Sequence, residues 1–236
     1  MQGGYKKNMR LIVVTNNEHK FCEFKNIFSH MNMDFVNNGS DFLYSLADFG
    51  IHIDVEENGT SYEENANIKS KAAYVELLKE NIIKKGDYII SDDSGLSIDY
   101  FDGGPGIYSA RFMGNISQDE KNKKILIDMK NVQGSKRNAH FTTVLSVIEI
   151  KSDEDMKIMP KCKIFKGRVD GYIANNLTGT QGFGYDPIFA IGDVMDIKNN
   201  NVKTYASIGQ NEKNKISHRA KAINSLVLYL AKNHNI

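Results

Sequence analysis

The chain has 236 residues, with 30 Lys and Arg against 29 Asp and Glu, a net charge of +1, and 41% hydrophobic and 25% charged residues. That balance belongs to an ordinary globular protein and gives no general attraction to nucleic acid or membrane, so any anion site must be local. Cys22 and Cys162 are too few for a disulfide framework or a zinc site, and no apolar run approaches a membrane span, which together point to a reducing, cytoplasmic setting.

Met1 to Asn8 carries two lysines and no apolar stretch, and reads as a disordered extension rather than a secretory signal. Met9 to Val14 is a short apolar run expected to be a buried strand. The polar loop Thr15-Asn16-Asn17-Glu18-His19-Lys20 separates it from helical spacing over Phe21 to Met31, the first half of a βα unit. Cys22, inside that helix, is expected to be a buried free thiol. Residues 36–50 read as a loop or short insertion, and 51–55 as a strand. Ser61 with Glu64 resembles a capping box and predicts a helix to about Ile83, with Ala66, Ala72, Ala73, Leu77 and Leu78 for its buried stripe.

Strands are predicted at 88–92 and 95–99, then a helix from Ser117 to Met129 with Ile125 and Leu126 inward. Ala139 to Ile150 has the composition of a strand, and 151–160 leads as a loop to a returning strand over Cys162 to Ile173. Gly179 to Phe189 is rich in Gly and aromatics, 192–212 is a polar loop with a partial helix, and His218 to Ala231 is a closing helix. No internal repeat or clean linker divides the chain. A single α/β domain over 9–236, in one or two lobes, is the expected organisation.

Chemistry concentrates in Ser91-Asp92-Asp93-Ser94-Gly95-Leu96, followed by Gly103-Gly104-Pro105-Gly106-Ile107-Tyr108-Ser109-Ala110-Arg111. The two carboxylates follow a strand-like run, and open α/β sheets place ligands beyond the carboxyl ends of strands. Carboxylate oxygens suit a hard cation such as Mg²⁺, which is commonly shared with substrate phosphates. The same composition also describes an ordinary turn. In Thr15-x-Asn17-x-x-Lys20-x-x-Glu23, a loop feeding a helix N-terminus offers amides to phosphate; a plain cap with a solvated Lys–Glu face is the alternative. Glu56-Glu57 with Lys69 reads either as a helix-dipole pair or as a second metal ligand facing Asp92-Asp93. Gly182-Phe183-Gly184-Tyr185-Asp186-Pro187 offers a flat platform for a base, or a turn whose aromatics plug the core. Lys213 with Ser217-His218-Arg219 reads as a carbonyl or phosphate reader, or as a capped helix.

All of these in this order resemble the inosine triphosphate pyrophosphatases, the Ham1-like XTP/dITP diphosphatases. The resemblance rests on 15–20, Glu57 with Glu64-Asn65-Ala66 and Lys69, 91–96, 105–111, 182–189 and Lys215-Ile216-Ser217-His218-Arg219-Ala220, and runs from about Met9 to Leu230. It implies a mixed twisted sheet with flanking helices, two lobes around a central nucleotide-binding cleft, and a homodimer. The activity implied is Mg²⁺-dependent hydrolysis, with Mn²⁺ as a substitute, of ITP, dITP and XTP to the monophosphate and pyrophosphate. The partner implied is a small nucleoside triphosphate, with no nucleic acid or membrane.

Carried over by position, the resemblance makes Asp93 the general base and a metal ligand, with Glu57 as the second ligand and Glu56 its neighbouring alternative. Thr15, Asn16, Asn17, Glu18, His19, Lys20 and Lys69 fall in the triphosphate grip, and Ser94 is a substrate contact. Phe183 stacks on the base with Gly184, Tyr185 and Asp186 beside it, while Lys213, His218 and Arg219 complete the contacts, Arg219 reading the purine 6-oxo group. The segments 36–50, 151–160 and 192–212 look longer than the family's usual connections, and His19 stands where many members have Gly or Lys. Two rival readings are a Maf-like nucleotide pyrophosphatase, disfavoured by the Phe-Gly-Tyr-Asp and Ser-His-Arg blocks, and a non-catalytic nucleotide or RNA-binding module, disfavoured by Asp93 and by the near-neutral charge.

Overall fold

The structure, a computed structural model, describes residues 9–31, 42–198 and 201–234. The extension expected at 1–8 lies outside these residues, as do parts of the segments 36–50 and 192–212. Strands β1 (Arg10–Val14), β2 (Leu43–Ser45), β3 (Asp87–Ile98), β4 (Asn138–Glu149), β5 (Lys163–Ile173), β6 (Phe189–Ile191) and β7 (Lys203–Thr204) form one sheet in the order β2-β1-β3-β4-β5-β6-β7. The helices are α1 (Glu18–Ser29), α2 (Tyr62–Lys79), α3 (Gln118–Asp128), α4 (Gln210–Ile216) and α5 (His218–His234). β1 runs parallel to both β2 and β3, whereas β6 is antiparallel to β5 and β7, so the open, twisted α/β sheet is mixed as expected.

The chain divides into two compact units. The first takes the residues up to Asp93, Val144–Phe165 and Ser225 onward. Leu11, Ile12 and Val13 of β1 are all buried, the continuous apolar run that a parallel strand covered on both faces requires. Ile12 and Val14 join a core with Ala73, Tyr74 and Leu77 of α2 and with Ile89 and Ile148; burying one such aliphatic side chain contributes about 2 kcal/mol. Ser61 caps α2 by accepting the Glu64 N–H, and the Glu64 carboxylate takes the N–H and hydroxyl of Thr60. α2 stops at Lys79, earlier than the expected Ile83, where Asn81 turns left-handed with φ 56°.

The second unit takes Ser94–Thr143 and Lys166–Asn224. Its core joins Leu96, Ile98, Phe141, Ile173 and Phe189 with Ile125 and Met129. α3 starts at a full capping box, Ser117 and Glu120 each bonding the other's backbone. The buried Arg137 guanidinium donates to the carbonyl oxygens of Ile173, Met129, Val132 and Ala174.

Five expectations are corrected. Residues 88–92 and 95–99 are not two strands flanking a turn; β3 is continuous through Asp92, Asp93, Ser94 and Gly95. Residues 51–55 form no strand; the Ile53 carbonyl is taken by the Asn16 side chain rather than by a neighbouring strand. β2 itself falls in a segment expected to be loop. Cys22 is exposed, since α1 buries the face carrying Glu23, Phe24, Ile27 and Phe28. α1 also begins at Glu18 rather than Phe21, because the Asn17 side chain accepts the Lys20 N–H and caps it.

Candidate active site

In the first unit, side chains from four segments meet near the middle of β3. Successive strand residues face opposite ways, so Asp92 and Asp93 diverge: Asp92 Oδ2 lies 3.0 Å from Lys20 Nζ of α1, while Asp93 Oδ2 accepts from Asn65 Nδ2 of α2 at 3.2 Å. Lys69, one turn further along α2, places Nζ 3.3 Å from Glu57 Oε1 and 3.8 Å from Asp93 Oδ1. Glu57 therefore stands with Asp93 and Lys69, whereas its neighbour Glu56 is exposed. Burial pushes the Asp93 carboxyl up to about 6; Lys69 opposes this, Glu57 adds to it, and Lys20 and Asn65 pull it back down. Asp93 is thus a carboxylate more basic than usual, held by two cations and an amide.

The polar loop before α1 is organised by its own side chains. Thr15 Oγ1 accepts the Asn17 N–H, Asn17 caps the helix, and Asn16 Nδ2 donates to the Ile53 carbonyl at 2.8 Å. Glu18 opens the first turn of α1, and both it and His19 face solvent. Of the six loop residues, Lys20 is the one whose side chain reaches a β3 carboxylate.

The second unit holds the remaining predicted residues. Tyr185 is buried and donates its hydroxyl to the Ser109 carbonyl at 2.8 Å, which makes it a core plug, while Phe183 is only half-buried. Asp186 Oδ2 accepts from both the Phe183 N–H and Lys213 Nζ, the latter at 2.6 Å with both side chains buried. Lys213 also lies 4.8 Å from the Phe183 ring centre, a cation–π distance. Gly182, at φ +79°, is required here: a Cβ would sit 2.1 Å from Asp186 Oδ2. The Gly184 carbonyl accepts from Asn122 Nδ2 of α3 at 3.0 Å. His218 stacks on Phe141 at 4.5 Å and 8°, and buried Arg219 reaches Ser94 Oγ at 3.3 Å, which also meets Thr143 Oγ1 at 2.9 Å. The start of α5 rests on bare backbone: a Cβ on Gly167 of β5 would lie 2.0 Å from the His218 carbonyl.

Sequence reasoning gave no role to Asn65 or Asn122, and read Asp92 only as one of two adjacent carboxylates suited to a hard cation, not as the partner of Lys20. Asn65 stood inside a quoted motif without its own signal, and Asn122 in an ordinary helical segment. Among the described residues, no three His, Cys, Asp or Glu side chains converge as a metal cage. Mg²⁺ needs none, because it typically binds one or two carboxylates and completes its shell with water and substrate phosphate. Glu57 and Asp93 bring two carboxylates within 3.3 and 3.8 Å of the Lys69 nitrogen, a donor set that fits such a cation by its chemistry.

The mixed sheet and the lysine-flanked carboxylates on it fall within a known class of α/β proteins: the Ham1 family model matches residues 11–229, and the chain belongs to that family. It is 37% identical over 225 residues to a dITP/XTP pyrophosphatase of Thermoanaerobacter pseudethanolicus, covering 95% of this chain and 98% of that one. It is 38% identical over 216 residues to the dITP/XTP pyrophosphatase of Bacillus subtilis, covering 91% and 93%. Among solved structures, the Staphylococcus aureus Ham1 protein is similar with a TM-score of 0.70 and 35% identity, over 95% of this chain and 99% of that one.

Proposed function

We propose that this protein hydrolyses the deaminated purine nucleoside triphosphates dITP, ITP and XTP to the monophosphate and pyrophosphate. The substrate class is supported by the dITP/XTP pyrophosphatases that the chain resembles over nearly its whole length. The single observation that carries the chemistry is the buried Asp93 carboxylate, raised to about 6 and set among Lys69, Glu57 and Asn65. A carboxylate of that basicity is still ionised at neutral pH and accepts a proton better than an ordinary Asp.

Asp93 takes the proton of the attacking water. Glu57 and Asp93 would hold Mg²⁺, or Mn²⁺ in its place, which when bound neutralises phosphate charge. Lys20 and Lys69 stabilise the negative charge that grows on the leaving pyrophosphate. The N-terminal end of α1, with its capping loop Thr15–Lys20, receives phosphate oxygens.

The base is read in the second unit. Phe183 offers its face for stacking, with its loop held by Asp186 and Lys213. Arg219 donates to the 6-oxo group of hypoxanthine or xanthine, and His218 stands beside it. The 6-amino group of adenine is itself a donor, so ATP would leave buried Arg219 facing a donor, a mismatch worth several powers of ten in selectivity. We place the protein in the cytoplasm as a homodimer with one catalytic domain; no helix among the described residues is long and apolar enough to cross a membrane.

The test is pyrophosphate release from ITP, dITP, XTP, GTP and ATP with Mg²⁺, wild type beside Asp93→Asn. Turnover of the first three, abolished by the substitution, is expected. Equal cleavage of ATP would sink the role of Arg219, and an inert wild type would leave a nucleotide-binding module instead.

A further inference from the structure

Asn65 sits at the start of α2 with no exposed surface and uses both ends of its carboxamide. Its Oδ1 accepts the Gly59 N–H at 2.9 Å, and its Nδ2 donates to Asp93 Oδ2 at 3.2 Å. The orientation of the amide follows from chemistry: a backbone N–H can only donate, so the atom facing Gly59 must be the oxygen. The NH₂ group is thereby directed at Asp93. Gly59 closes two residues after Glu57, and its backbone lies so close that a Cβ there would stand 2.7 Å from Asn65 Oδ1 and 2.7 Å from Glu64 Cβ. Next to Asn65 in the helix, the Ala66 carbonyl accepts Ser91 Oγ at 2.6 Å, so the first turns of α2 are tied to β3 on either side of Asp92.

We infer that Asn65 is a positioning residue: one carboxamide fixes the Asp93 carboxylate and the 57–59 loop in a single register. The inference rests on the reading of Asp93 as the base and Glu57 as a cation ligand. Rotating Asp93 away from Asn65 would cost the amide its acceptor at a position where both residues are buried, and buried polar groups that lose partners are expensive. Asp93 is thus held in one orientation, and Glu57 is carried on a loop whose end cannot slide along α2.

The test uses the full chain. Pyrophosphate release from dITP with Mg²⁺ gives kcat and KM, and Mn²⁺ binding to the nucleotide-free protein is read by electron paramagnetic resonance. Asn65→Ser is too short to reach Asp93. Its kcat is expected to fall roughly 100-fold, the cost of a reacting group displaced by about 1 Å, with KM little changed and Mn²⁺ bound more weakly. Asn65→Asp keeps an acceptor for the Gly59 N–H and replaces the donor by a carboxylate. Its kcat should fall comparably while Mn²⁺ affinity rises, an opposite response that loss of packing alone would not produce.

A folded Asn65→Ser protein with wild-type kcat overturns the inference. So does unfolding of both variants by circular dichroism, which would make Asn65 a folding residue only. Asp93→Asn is measured alongside: full turnover in that variant would sink the assignment of Asp93 itself rather than that of Asn65.

Discussion

Asp92 and Asp93 are adjacent in the chain yet serve opposite faces of β3: Lys20 of α1 pairs with the first, and Asn65 and Lys69 of α2 hold the second. The two carboxylates have different nearest partners, although Lys20 also lowers the Asp93 carboxyl, and the roles proposed for them predict unequal costs on removal. Asp93→Asn should abolish turnover to within detection, the loss of roughly 1,000-fold or more that its proposed roles as general base and metal ligand entail. Asp92→Asn leaves Lys20 without its ion-pair partner and should reduce kcat only about tenfold, the scale of one misdirected charged group. Pyrophosphate release decides, and equal losses would contradict the division.

Burial raises the Asp93 carboxyl to about 6 from an ordinary 3.8. The folded protein therefore binds a proton there that the unfolded chain releases between those two values. Its contribution favours folding below about pH 4 and is lost as pH rises through about 6. The difference is worth about 3 kcal/mol at most. With a chelator present to remove divalent ions, Asp93→Asn should melt several degrees above wild type at pH 8, and the gap should close below pH 4. A variant that melts lower at pH 8 would show that the carboxylate is stabilising rather than tolerated.

Glu149 predicts the opposite slope. Burial pushes this carboxyl up, but hydrogen bonds from Tyr229, Tyr88 and Lys163 outweigh it and hold it at about 2, below an ordinary 4.5. The stabilisation is present above pH 4.5 and drains away as pH falls towards 2, on the order of 2 kcal/mol once solvent screening is allowed for. Glu149→Gln should flatten the acid limb of a denaturant-midpoint series between pH 5 and 3 while costing stability at pH 7. An unchanged acid limb would place the acid sensitivity elsewhere.

The buried Asp186–Lys213 pair sets the loop that carries Phe183. Asp186→Ala should destabilise by about 3–5 kcal/mol, because it strands an ammonium in the core. Asp186→Leu combined with Lys213→Met should recover most of that loss, since apolar replacements of a buried pair are frequently neutral. The recovered protein should still show a raised KM for dITP. Urea midpoints and KM together test this; a single substitution costing under about 1 kcal/mol would mean that the pair is hydrated.

Much of this architecture was legible in the residues. The runs at 9–14, 139–150 and 162–173 are strands, Ser61 caps α2 as its spacing from Glu64 implied, and α3 lies within the helix expected over 117–129. The errors have physical causes. Residues 51–55 do alternate in burial, with Ile51 buried and His52 and Asp54 exposed, but alternation records which side chains face the core and not whether a neighbouring strand is free to pair. Ser91-Asp92-Asp93-Ser94-Gly95 reads locally as a turn, yet each polar side chain from 91 to 94 finds a partner, so the strand continues. Partners such as Ala66, Asn65 and Thr143 are distant in sequence, and no local pattern could announce them. The motif residues were visible because their types carry chemistry; Asn65 and Asn122 were not, because an asparagine looks alike whether it orients a carboxylate or faces water.

Gly167 sets how closely the start of α5 can approach β5. It contributes only backbone, and α5 with His218 and Arg219 is seated against it. A methyl group there would meet two backbone atoms, the His218 carbonyl at 2.0 Å and the Ala222 nitrogen at 2.6 Å, neither of which can swing aside. The closeness of helix to strand at this point is thus set by the lack of a side chain, and any residue larger than glycine would have to move the helix start bodily.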